Sequence, residues 1–131
     1  MKASPMVWTG RVLSGLFVLF MLGASVAPKF LAPEIARQAS RPVGVADEAI
    51  LLIGVIELVG TLLYLWPRTA PLGAVTLTAL LGGAIATHMN AASPLFSHTL
   101  FGVYLGLVMW AGLWLRDPNL RAVLPLRARQ A

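Results

Sequence analysis

The chain has 131 residues, of which 58% are hydrophobic and 11% charged, with a net charge of +5 and a mean hydropathy of +0.80. Soluble domains carry about 45–50% apolar and roughly 25% charged residues, so too few charges remain here to solvate a compact globule. That excludes a soluble globular enzyme and a disordered chain, and the absence of cysteine removes disulfides, thiolate nucleophiles, Cys-held zinc, iron–sulfur clusters and c-type haem.

Four apolar runs predict transmembrane helices over approximately 8–27, 47–66, 71–89 and 95–115, an all-α four-helix bundle in one membrane domain covering 1–131. A helix needs about 17–25 residues to cross a roughly 30 Å hydrocarbon core. The first run follows Lys2 and Arg11 and ends in Ala24-Ser25-Val26-Ala27, which imitates a signal cleavage site. Pro28 would then be the first mature residue, which disfavours cleavage, so the run is kept as a span stopped at Pro28-Lys29. A polar connection holds Pro33, Glu34, Arg37, Arg41, Pro42, Asp47 and Glu48. The second run stops at Pro67-Arg68, the third begins at Pro71, and the fourth stops at Arg116-Asp117-Pro118. Prolines stand at run ends, where a missing N–H does no harm. The basic tail, 116–131, carries an apolar strip of Leu120, Val123, Leu124 and Leu126 and is expected along the inner interface.

Orientation follows from the basic residues. Lys2, Arg11, Arg68, Arg116, Arg121, Arg127 and Arg129 lie on one side and Lys29, Arg37 and Arg41 on the other, seven against three. Both termini are therefore expected in the cytoplasm. These residues flank the apolar runs instead of interleaving with aromatics, so the lipid bilayer is the expected partner and nucleic acid is not.

Glu57 is the residue that most needs a reason. An acid at mid-span costs at least about 2.5–3.5 kcal/mol on insertion scales and must face the bundle interior. Helical spacing places Ile53, Gly54, Gly60, Thr61 and Tyr64 on its stripe. It reads either as a proton-handling or ligand-anchoring group, or as an interhelical hydrogen bond. Matching the spans at their outer ends puts Tyr104 level with it and Thr78 near, both as hydrogen-bond partners, and Lys29 about 15 Å away by helical rise. A neutral acid is the expectation without a cation in reach.

His88 and His98 close the third run and open the fourth, near Lys29, Asp47, Glu48 and Asn90. Their spacing is not that of a metal motif, and no metal is expected. His88 is a ligand-binding candidate; His98 reads as an interfacial imidazole. Gly102 and Gly106 form a GxxxG pair, within the bundle or between subunits of a homo-oligomer. Gly73, Thr76, Gly83 and Thr87, with Ser14, Gly15 and Ser25, are expected to face inward and Leu, Val and Phe to face lipid. No phosphate loop, Ser/His/Asp set or paired carboxylates is visible, so the sequence does not decide whether the chain catalyses a reaction.

Several stretches in order resemble the DoxX-like family of small bacterial four-span membrane proteins. They are the run Leu22 to Phe30 closing on Lys29, the helix Ile53 to Gly60 with Gly-x-x-Glu-x-x-Gly, the Trp66-Pro67-Arg68 turn, Ala86-Thr87-His88, and Phe101 to Gly106 followed by Arg116 to Arg121. The resemblance implies a multi-pass protein of the bacterial inner membrane with Lys29, Glu57 and His88 as functional positions. It also implies a link to quinone-dependent redox or oxidative-stress physiology, with quinone as the cofactor class and a redox partner subunit. The competing expectation is a binding or assembly protein that holds a lipid, a hydrophobic small molecule or a client helix.

Overall fold

The computed structural model describes residues 3–124; Lys2, Leu126, Arg127 and Arg129 lie outside them. The described residues form helices and turns only. Helix α1 runs over Pro5–Leu31, α2 over Pro33–Ser40, α3 over Ala49–Leu65, α4 over Ala70–Asn90, α5 over Leu95–Arg116 and α6 over Pro118–Val123. Three of these, α1, α4 and α5, are long and apolar enough to cross a membrane, and α3 is a shorter apolar helix of 17 residues.

The local sequence explains most of the boundaries. Ser4 caps α1 through its hydroxyl, which accepts from the Val7 amide, and Pro5 sits in the first turn where its missing N–H costs nothing. Trp66 leaves the helical region just before Pro67 and ends α3. Asp117 caps α6 through the Asn119 amide. Pro28 departs from the expectation: α1 does not stop there but continues to Leu31. The turn before it, Met21–Val26, is π-helical, and the Ala27 amide reaches back five residues to Leu22 O. That wider turn lets the helix pass a residue that lacks an amide hydrogen.

Neighbouring long helices run antiparallel. Phe17 and Ser14 of α1 meet Tyr64 of α3, Trp110 of α5 donates to Thr78 of α4, and Phe20 of α1 meets Phe101 of α5. The start of α1, the α3–α4 turn and the end of α5 thus share one end of the molecule. The core is Phe17, Val18, Met21, Tyr64, Ala70, Ala74, Leu77, Leu81, Met109 and Leu113.

Two close helix approaches set this packing. A β-carbon on Gly10 would stand 2.7 Å from Gly112 O, and one on Gly112 would stand 2.6 Å from Ser14 Oγ, so α1 and α5 touch backbone to backbone. On Gly73 it would meet the backbone of Tyr64 and Gly60 O, which joins α3 to α4 in the same way. Lipid supplies no hydrophobic drive between helices, so such contacts and interhelical hydrogen bonds carry the association.

Of the two uses expected for the GxxxG pair, the one within the bundle is seen: a β-carbon on Gly102 would meet Ile85 at 2.9 Å, and one on Gly106 would lie 3.9 Å from Leu81, both on α4. The inward small-residue stripe is only half right. Ser14, Gly54, Gly60 and Gly73 are buried, but Gly15 and Gly83 have open space before them.

Candidate functional site

The site is built where the π turn of α1 faces α3. Lys29 Nζ donates to Glu57 Oε2 at 2.9 Å, to Ser25 O at 2.9 Å and to Ser25 Oγ at 3.2 Å. Ser25 Oγ in turn donates to Glu57 Oε1 at 2.9 Å. Both carboxylate oxygens and all three ammonium protons are therefore occupied, as a charge withdrawn from water requires. Glu57 is buried, and the Lys29 and Glu57 side chains keep 15% and 9% exposure.

The expected 15 Å gap between Lys29 and Glu57 is overturned. Lys29 Cβ lies 3.2 Å from the point where Gly54 would carry a β-carbon, so the lysine backbone packs only one helical turn from the acid. Side chains on a helix lean toward its N-terminus, and α1 and α3 run in opposite directions, so the two side chains lean toward each other across the remaining step. The expectation that no cation reaches the acid fails for the same reason. Tyr104 is not a partner of Glu57: it is exposed, and its hydroxyl donates to Phe96 O at 3.0 Å. Thr78 instead donates to Ala74 O and accepts from Trp110 Nε1.

A cavity of about 250 Å³ opens beside the pair. Ser25 and Glu57 line it on one side and His88, His98 and Thr99 on another, with Phe20, Met21, Ala24, Leu81, Ala84, Ile85, Phe101, Gly102 and Leu105 forming apolar walls. His88 Nδ1 and Ser93 Oγ are 3.0 Å apart, and His98 Nδ1 and Ser97 Oγ are 2.7 Å apart. Each imidazole thus has one nitrogen engaged with a hydroxyl. The two rings meet edge to face with centroids 5.9 Å apart. Among the described residues no group of three or more His, Cys, Asp or Glu gathers as metal ligands would.

Of the four residues singled out from sequence, Lys29, Glu57 and His88 gather around this region and Tyr104 stands apart. Ser25 and His98 belong to the site and were not read as such. Ser25 had a usable signal, since it stands four residues before Lys29 on one helix face; reading Pro28 as a stop concealed it.

The profile of the DoxX-like family matches residues 12–112. The chain belongs to the DoxX-like family. It is a helical membrane protein. No curated protein and no solved structure gives a significant match. The matched stretch takes in every residue of the DoxX-like ion pair and its cavity.

Above the site, the DoxX-like chain crosses from α1 to α3 through α2 and a 3-10 turn, Arg41–Val43, closed by Gly44 at φ 83°, a left-handed conformation that favours glycine. Arg41 grips Asp47 with two parallel bonds, Nε to Oδ1 at 3.0 Å and Nη2 to Oδ2 at 2.6 Å. That hydrogen bonding, with the guanidinium charge, holds the Asp47 carboxyl below its ordinary range and raises Arg41.

Proposed function

We propose that this protein crosses a bacterial inner membrane four times, with both termini in the cytoplasm, and that its cavity receives the ring of a quinone-type molecule on behalf of a redox partner. The observation that carries the reading is the cavity itself, where one apolar space touches the Ser25–Glu57 side and the His88–His98 side together. Its volume lies just below the roughly 300–1,000 Å³ of ordinary small-molecule clefts, which suits one ring and not a whole lipid. Phe20 and Phe101, with ring centroids 5.6 Å apart, offer aromatic edges to such a ring.

A bound quinone supplies two-electron, two-proton redox chemistry. This chain orients it: an imidazole donates to one carbonyl, or accepts from that oxygen once reduction has made it a hydroxyl, and the Ser25–Glu57 side faces the other end of the ring. Glu57, held by Lys29, keeps a carboxylate beside the ring. Electrons must come from a partner, because the sequence contains no cysteine pair and carries no recognisable electron-carrier motif.

The test is extraction and titration. The protein is purified in mild detergent, its bound organic molecules are identified by mass spectrometry, and short-chain quinones are added while thermal stability is followed. Stabilisation of the wild type, lost in Ala84→Leu where the cavity is filled, is the expected result. A phospholipid in the extract with no response to quinone overturns it in favour of a lipid-holding role.

A further inference from the structure

A second pocket lies at the opposite end from the histidines, where α1 begins, α3 turns into α4 and α5 ends. Its volume is about 520 Å³, and Arg11, Arg68 and Arg116 line it from three separate elements. Asp117 is the one carboxylate in its wall, and its Oδ1 already accepts the Asn119 amide as the cap of α6. Three guanidinium groups against one carboxylate leave an excess of positive charge in a concave, partly apolar space. Ala70 and Pro71 add the first turn of α4, whose 21 residues present the positive end of the helix there.

Arg116 is fixed before any ligand arrives. Its Nη2 donates to Tyr64 O at 2.9 Å, and its guanidinium carbon sits 5.0 Å from the centre of the Tyr64 ring. Tyr64 is fully buried and locked in turn, its hydroxyl donating to Met109 O at 2.7 Å and lying 3.0 Å from Ser14 Oγ. Arg116 Nε is buried with no hydrogen-bond partner, a donor that the chain itself does not satisfy. Arg11 stacks over Trp8 at 5.1 Å, and neither Arg11 nor Arg68 makes an ion pair among the described residues.

We propose that this pocket binds a phosphate group, carried by an anionic phospholipid headgroup or by a free phosphate. Guanidinium forks match phosphate oxygens in pairs, and a phosphate offers enough acceptors for several arginines at once. The pocket stands at the end of the apolar helices, the depth at which lipid phosphates lie. The proposal does not depend on the quinone reading, because the two pockets share no lining residue.

The test uses the purified full-length protein in neutral detergent. Native mass spectrometry compares retention of phosphatidylglycerol and phosphatidylcholine offered in equal amounts, and thermal melts are recorded with and without millimolar inorganic phosphate. Phosphatidylglycerol is expected to be retained preferentially, with Arg68→Gln and Arg11→Gln each reducing retention by about five-fold. Arg41→Gln removes the same charge at the far end and is expected to change nothing. Stabilisation by inorganic phosphate alone, lost in Arg68→Gln, supports the same site with a soluble ligand. Equal retention of the two lipids with no response to phosphate, or an equal loss in Arg41→Gln, overturns the proposal.

Discussion

Lys29 and Glu57 are each largely withdrawn from water, so each depends on the other for its counter-charge. Breaking a buried pair by removing one partner costs about 3–5 kcal/mol, and the residual exposure here places Lys29→Met near the lower figure. Replacing both residues with apolar ones is expected to restore most of that loss, because no lone charge is left behind. Thermal denaturation of the two single variants and the double variant in mild detergent gives the coupling; additive losses would contradict it. Glu57 was legible in the sequence because a charge inside an apolar run has no ordinary explanation. Its partner was not, since a π turn leaves no trace in periodicity and Pro28 looks like a stop. A second prediction concerns Arg41 and Asp47. The carboxyl is held below its ordinary range, so the staple is fully present above about pH 4, the unfolded Asp value, and is lost as pH falls through the lower folded value. Amide exchange at Val43 and Val45 is expected to rise only in acid for the wild type. In Asp47→Asn it should be raised already at neutral pH, with the overall melting temperature unchanged.

At the scale of elements, the glycines separate into two populations that look alike in sequence. A β-carbon at Gly73 has only backbone to push against, so Gly73→Ala must spread α3 from α4, and overpacking of this kind costs about 1–3 kcal/mol. Gly83 has nothing within reach, so Gly83→Ala is expected to leave stability unchanged or slightly raised through helix propensity. Melting curves of the two variants, measured side by side, check the contrast; equal losses would show that α4 packs differently. The existence of the apolar helices was legible from composition and run length, and the end of α3 from Pro67. Which face of α4 turns inward was not. Lipid and protein interior are equally apolar, so small residues carry no label saying which one they meet.

For the whole molecule, the antiparallel packing of α1, α3, α4 and α5 brings the start of α1 and the end of α5 to one end of the protein. Crossing by α3 follows if its 17 residues span alongside α4, at the lower limit of about 17–25. With the seven-to-three bias of basic residues, fusions at the C-terminus are expected to give a bright cytoplasmic fluorophore and inactive alkaline phosphatase. The reverse pattern would invert the topology. The Lys29–Glu57 bond also has an order in time. The ribosome delivers the lysine 28 residues ahead of the acid, so the first helix emerges with a charge whose complement has not yet been made. If α3 spans as proposed, it meets a waiting ammonium, which would offset the about 2.5–3.5 kcal/mol that its acid otherwise costs on insertion. Biosynthesis would thereby bias α1 to linger at the lateral gate of the translocon until α3 arrives, and the two would enter lipid as a hairpin. In a membrane-integration assay, α3 behind its native leader should insert more completely than behind a Lys29→Met leader; equal insertion would mean that the two segments enter independently.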